Sequence, residues 1–278
     1  MKDIVANRRQ LAFRDKLRLG WTVLRENGPL WTAWLAAYYG ASGVAERAHR
    51  GMESRRRAKG LPGLNSVGAN RLIWNAWDWS HEGEEWTTSP EWKDSFVRSV
   101  LVPHVAGARA VLEIGPGGGR WTAELLQRVP KVVAVDVSET CIERCRARFA
   151  DYQSATFLVG DGRSLTGVAD ASVDRIFSFA AFVHIDRRDV EAYAPELRRV
   201  LEPGGRGAIH HGGVGGVAGG WRSNLTAEDM ARYLTEAGLE VVSQEEGWRD
   251  GDVEVTFGPF RDVTTVFRRP AADRTTGG

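Results

Sequence analysis

The sequence predicts an α/β fold, with short apolar strands alternating with helices behind a helical N-terminal extension. The first observation is an apolar run, Val111-Leu-Glu-Ile114, that enters a glycine-rich turn and then a helical pattern. The second is another apolar run, Val132-Val-Ala-Val-Asp136, which ends in an acid twenty-one residues after Gly115. The third is a series of similar short runs at 157–161, 172–179 and 205–210, with Pro203-Gly204 as a turn signal before the last. Glycines at the alternate positions 115, 117 and 119 bring the backbone close to a ligand, because no Cβ intervenes. An acid closing the second strand is placed to accept hydrogen bonds from ribose hydroxyls. Together these read as a nucleoside-binding βαβ unit.

The elements follow in order. Residues 1–105 read as a helical extension and lid. Ile4, Leu11, Leu17, Trp21 and Leu24 recur at near-helical spacing, Gly28-Pro29 interrupts, and Leu30 to Tyr39 makes a second apolar helix. Glu46 to Lys59 holds six Lys or Arg and two Glu, which reads as a solvated helix and linker because aromatic interleaving is missing. An RNA or acidic-polymer contact is the alternative. Gly60-Leu-Pro-Gly63 marks a break. Five of the 11 tryptophans then fall at positions 74, 77, 79, 86 and 92, beside Asp78, His81, Glu82, Glu84 and Glu85. The indoles fix a lid onto the core, or they also wall a substrate site in which flat rings and carboxylates suit a sugar. Residues 106–269 form the α/β domain. Thr226-Ala-Glu-Asp229 is a capping box before a helix that ends at Ala237-Gly238. Leu239 to Gln244 and Val263 to Arg268 are the sixth and seventh strands, and 270–278 is expected to be a disordered tail.

Composition excludes several classes. There are 37 basic and 36 acidic residues, a net charge of +1, so no global field favours nucleic acid. Cys141 and Cys145 are too few for a disulfide framework or zinc site and read as buried helix residues. Met1 to Gly20 is too charged for a signal peptide, and Leu30 to Ala41 falls short of the roughly 20 residues that span a bilayer. The expectation is a cytoplasmic protein that neither enters membranes nor binds nucleic acid. The N-terminal helices, with an apolar face, offer a homo-oligomer interface.

The spacing G-x-G-x-G, with Glu113 two residues before the first glycine, departs from the dinucleotide pattern G-x-G-x-x-G. A carboxylate there repels a pyrophosphate but suits the ammonium of an amino acid. This pattern resembles motif I of the class I S-adenosylmethionine-dependent methyltransferases. Phe157-Leu-Val-Gly-Asp161-Gly162, Ser172-Val-Asp-Arg-Ile-Phe-Ser-Phe179 and Leu197 to His210 resemble further motifs in the same order. The resemblance implies a Rossmann-like, seven-stranded sheet with helices on both faces, its seventh strand antiparallel between the fifth and sixth. It implies S-adenosylmethionine as cofactor, held by Glu113, Gly115, Gly117, Gly119, Trp121, Asp136, Val137, Asp161, Gly162 and Phe179. Within that set Asp136 takes the ribose and Asp161 the adenine amino group.

Methyl transfer displaces a sulfonium, so the enzyme positions the nucleophile and, for an alcohol, removes its proton. Histidine suits the proton step because its pKa lies near neutrality. His184, just past the fourth strand, is the first candidate base, with capping of the next helix as its structural alternative. Asp186 and Asp189 read as helix N-terminal residues. His210 and His211 end the fifth strand, and because neighbours on a strand face opposite ways, at most one reaches the site. A divalent-metal site drawn from these groups lacks tight ligand spacing and is not favoured. Gly212 to Gly220 reads equally as a mobile substrate loop or a plain connection. Gly83-Glu-Glu-Trp86, Phe182-Val-His184 and Ile209-His-His211 also resemble a bacterial group of polysaccharide and glycosylated natural-product methyltransferases. The expected activity is therefore methylation of a hydroxyl on a sugar or other small molecule, with a histidine base. N-methylation of a small amine, or cofactor binding without turnover as a partner protein, are the alternatives.

Overall fold

The structure, a computed structural model, describes residues 13–215 and 222–271. Ile4 and Leu11, part of the glycine-rich loop (216–220) and most of the expected tail (272–278) lie outside the described residues. The chain divides into two compact units, Met1–Lys59 and Gly60–Gly278. The second unit begins at Gly60, the first residue of the Gly60-Leu-Pro-Gly63 stretch.

In the first unit, α1 covers Phe13–Lys59 and is broken at Gly28, whose φ of 79° and ψ of 168° are non-helical. The break sits where Pro29 cannot donate to the preceding turn, and glycine alone takes the positive φ without strain. Trp21, Leu30, Trp34 and Tyr38 are exposed along it. Among the described residues no helix is long and apolar enough to cross a membrane.

In the second unit, α2 (Val67–Ala76), α3 (Pro90–Phe96), a π turn (Val97–Leu101) and α4 (Val102–Val105) precede the sheet. Alternation then begins: β1 (Val111–Ile114), α5 (Arg120–Leu126), β2 (Val132–Asp136), α6 (Glu139–Arg148) and β3 (Ala155–Val159). It continues with β4 (Val173–Phe182), α7 (Arg187–Val200), β5 (Leu201–Gly212), α8 (Ala227–Glu236) and β6 (Glu240–Glu245). A hairpin of β7 (Gly247–Asp250) and β8 (Val253–Thr256), unforeseen in the sequence, comes before β9 (Asp262–Arg268). The seven-stranded sheet runs β3-β2-β1-β4-β5-β9-β6, parallel except for β9, which pairs antiparallel with both β5 and β6. This is the mixed seven-stranded sheet that the resemblance implied.

Strand periodicity sorts the core into two layers. Leu112, Ile114, Val133 and Ile176 join Val190, Leu197, Met230 and Leu234 from α7 and α8 on one face. Val111, Val132, Ala134 and Phe177 join Phe96, Leu101, Leu125, Ile142 and Cys145 on the other. Each fully buried Leu, Ile or Phe contributes roughly 1.5–3 kcal/mol. Local caps fix the helix starts: Ser138, Asp186 and Thr226 accept backbone N–H bonds at the heads of α6, α7 and α8. The order reverses between β1 and β4, so their carboxyl ends form the crevice where such sheets bind ligands.

Candidate functional site

The loop after β1 takes its shape from close approach. Gly115, Gly117 and Gly119 all have positive φ (75°, 56° and 89°). A Cβ on Gly115 would lie 2.3 Å from the Ala181 Cβ, and one on Gly117 2.9 Å from the Trp79 ring. Ala181 presses in because β4 is bulged between Ser178 and Phe182, with Ala180 in the left-handed region at φ 65°. The Gly117 N–H donates to Asp136 Oδ2 (3.2 Å), and the Ser138 N–H to Asp136 Oδ1 (2.9 Å), so β2 and the loop clamp one carboxylate.

A cavity of about 680 Å³ opens here. Its floor is Ile114 to Gly118, Asp136, Val137 and Gly162, and its aromatic wall is built from Trp74, Trp79, Trp86, Trp92, Trp121 and Phe179. The tryptophans fall in two clusters: Trp77 stacks on Trp86 at 5.3 Å and Trp74 meets Trp79 at 5.9 Å in one, and Trp92 meets Trp121 at 6.5 Å in the other. The Trp79 indole donates to the Trp74 carbonyl (2.9 Å), which holds it across the glycine loop. At the far side stand His184, His210, Arg222, Phe257, Phe260 and Asp262.

Burial sets the charge states. Asp136 is raised to about 6, chiefly by desolvation and against the pull of its backbone N–H partners. Glu113, wholly buried, accepts from the Thr122 hydroxyl (2.6 Å) and is raised to about 7 by desolvation, with the Asp136 charge adding to it. Arg120, on the cavity wall, is lowered to about 10 by burial, opposed by the nearby glutamates. Asp262 is raised to about 6 by burial although Arg222 lies 2.8 Å away. The buried Asp136 carboxyl, in a floor that tolerates no Cβ, fits a nucleoside such as S-adenosylmethionine. Asp136 would meet its ribose and Arg120 its carboxylate.

Of the residues singled out in the sequence, Gly115, Gly117, Trp121, Asp136, Val137, Gly162, Phe179, His184 and His210 line this cavity. Four others do not. Glu113 lies beneath the floor, bonded to Thr122. Gly119 heads α5, where a Cβ would strike Phe149 at 2.6 Å. The Asp161 carboxylate turns back on its own loop, accepting from the Arg163 and Ser164 N–H groups and the Ser164 hydroxyl (2.7–2.9 Å). His211 is locked inside the sheet, one ring nitrogen on the Gly212 carbonyl (2.9 Å) and the other on Thr265 Oγ1 (2.6 Å), so it is a structural residue. Asp186 caps α7 and Asp189 lies in its first turn, as read. Among the described residues no group of three or more His, Cys, Asp or Glu gathers as a metal site requires. Sequence reading missed Arg120, Asn70, Arg222, Asp262, Phe257 and Phe260. Arg120 was within reach, as the residue directly after the glycine run; the others carry no local motif.

Comparison with known proteins agrees with this geometry. Residues 111–205 match a family described as methyltransferase domain. The chain is 30% identical over 162 residues to a biotin biosynthesis bifunctional protein of Cellvibrio japonicus, covering 55% of this chain and 31% of that protein. It is 33% identical over 107 residues to phosphoethanolamine N-methyltransferase 1 of Triticum aestivum, covering 38% and 21%. The chain thus spans a third or less of the length of these two relatives. In fold it resembles the Haloferax volcanii complex of the Trm112 methyltransferase activator with a methyltransferase (TM-score 0.55, 22% identity, 71% of this chain and 97% of that one). The matched motifs, the sheet order and the glycine floor therefore agree: residues 111–205 carry a class I, S-adenosylmethionine-dependent methyltransferase domain.

Proposed function

We propose that the protein transfers a methyl group from S-adenosylmethionine to a hydroxyl of a small molecule, sugar-containing or a glycosylated natural product, bound in the aromatic cavity. The observation that carries this reading is a single cavity lined both by the glycine floor with Asp136 and by His184 beside the Trp74 ring. S-adenosylmethionine supplies an activated methyl group on a sulfonium. The protein's part is to orient the nucleophile, exclude water and remove its proton. Trp79 and its indole neighbours exclude water, and their flat faces suit the C–H face of a sugar or an aromatic ring. His184 is the base of this reading. Its backbone carbonyl accepts from Asn70 (2.8 Å) and Asn65 (3.1 Å), and its ring meets Trp74 edge-on at 5.2 Å, so the imidazole is held at the wall.

A second reading, methylation of a small amine, draws on the tryptophan-rich wall, which would also favour a cation, and on the relative that acts on phosphoethanolamine. Calorimetry with S-adenosylmethionine and S-adenosylhomocysteine comes first, followed by methyl transfer from labelled cofactor to matched glycosides, phenols and amines. Labelled glycosides or phenols bear out the reading. Labelling confined to amines moves it to N-methylation, and cofactor binding without turnover on any acceptor moves it to a non-catalytic partner. No binding of either nucleoside overturns it.

A further inference from the structure

The least explained group in the cavity is the imidazole of His210. Phe179 stacks on one face of the ring (4.3 Å, 22°), and Phe257 meets it nearly edge-on (4.4 Å, 61°). The Ala180 N–H donates to its Nδ1 (3.2 Å). That N–H is aimed by the β4 bulge, which puts Ala180 itself into the left-handed region. A nitrogen that accepts an N–H bond must offer a lone pair, so the neutral ring carries its proton on Nε2. Nε2 is buried and has no hydrogen-bond partner among the described residues. The nearest carboxylate oxygen, Asp262 Oδ2, is 3.8 Å away, beyond hydrogen-bond reach, and Arg222 already holds it at 2.8 Å.

We propose that His210 is a neutral hydrogen-bond donor whose Nε2–H selects an acceptor molecule bearing an uncharged oxygen, a carbonyl, ether or further hydroxyl, beside the atom that is methylated. His210 is then a specificity-determining residue and not a general base. Nε2 already bears a proton, and Nδ1 is occupied by Ala180. Protonating the ring would break that bond and bury a further positive charge near Arg222 and Arg120, beside His184 and His211. Burial and these neighbours accordingly hold its pKa well below the ordinary histidine value. The nearest formal charges, Arg222 and Asp262, face each other, so the subsite favours a neutral acceptor atom. An ammonium group would set donor against donor there. The substrate class rests on the methyltransferase reading; the tautomer does not.

The test uses the full chain labelled with 15N-histidine, free and saturated with S-adenosylhomocysteine. Long-range 1H–15N spectra recorded from about pH 5.5 to about pH 8.5 should show His210 with its proton on Nε2 and no titration. Loss of the signals in His210→Gln assigns them. Acetophenone and ethylbenzene then serve as probes with the same flat body, with and without a carbonyl oxygen. The ketone should bind about tenfold more tightly and shift the Nε2 resonance. His210→Phe, which keeps the stacked ring, should erase that preference, and His210→Gln, which keeps an N–H, should retain part of it. A proton on Nδ1, titration within the range, equal affinity for the two probes, or a ketone preference surviving in His210→Phe would overturn the proposal. Failure of the folded wild-type protein to bind S-adenosylhomocysteine would instead overturn the methyltransferase reading, while the free-protein spectra still decide the tautomer.

Discussion

Replacing Glu113 with Gln should stabilise the ligand-free protein at alkaline pH. The Glu113 carboxyl is completely buried, and desolvation lifts it from 4.5 to about 7. A folded state that holds this proton more tightly than the unfolded chain loses stability as pH rises from 4.5 to about 7, and nothing further above that. At about 1.4 kcal/mol per pH unit, that interval corresponds to about 3 kcal/mol. Gln is neutral at every pH and still offers an oxygen to the Thr122 hydroxyl, so it avoids the penalty with little change in shape. Urea denaturation of both proteins at several pH values reads the difference. The two curves should nearly coincide at the acidic end and separate by about 3 kcal/mol at pH 8, with the Glu113→Gln variant the more stable. The Asp136 carboxyl, raised in the same direction, is present in both proteins and largely cancels. A gap that does not vary with pH, or a variant less stable than wild type at pH 8, would refute the claim that Glu113 is held protonated by burial.

Three further outcomes are expected. Asp136→Asn puts an amide against two backbone N–H donors and removes the acid from the cavity floor; S-adenosylhomocysteine affinity by calorimetry should fall at least about tenfold. Gly117→Ala forces a side chain into the left-handed region and sets its Cβ 2.9 Å from the Trp79 ring. It should cost about 2–4 kcal/mol, seen as a lowered urea midpoint with altered tryptophan fluorescence, and a neutral effect would mean Trp79 does not rest on the loop. His184→Asn should leave cofactor affinity nearly unchanged while methyl transfer to the best acceptor falls by about 100-fold or more, and an undiminished rate would remove His184 from the proton step.

The glycine floor of the cavity was legible in the sequence because it is encoded locally. A glycine that must take positive φ, an acid that ends a strand and an apolar run bounded by turns each follow from a few consecutive residues, and Gly115, Gly117, Asp136 and Gly162 stand where those rules put them. The same locality misleads where one position satisfies two demands. A Cβ on Gly119 would meet Phe149, and Gly119 does not line the cavity, while Asp161 has the right neighbours but spends its oxygens on Arg163 and Ser164. His210 and His211 were indistinguishable by alternation alone. What separates them is Thr265 on β9, fifty-four residues downstream, which takes the ring of His211 into the sheet.

The rest of the cavity has no such local code. Trp79 lies in the segment ahead of the sheet, His184 follows β4, His210 lies on β5 and Phe257 follows β8, so only the finished fold brings them to one wall. The matched family region ends at residue 205, and Trp79, His210, Arg222, Phe257 and Asp262 all lie outside it. Similarity in the cofactor region therefore carries little information about the methyl acceptor. Specificity has to be read from the aromatic wall and from the buried His210 N–H, which has no partner among the described residues.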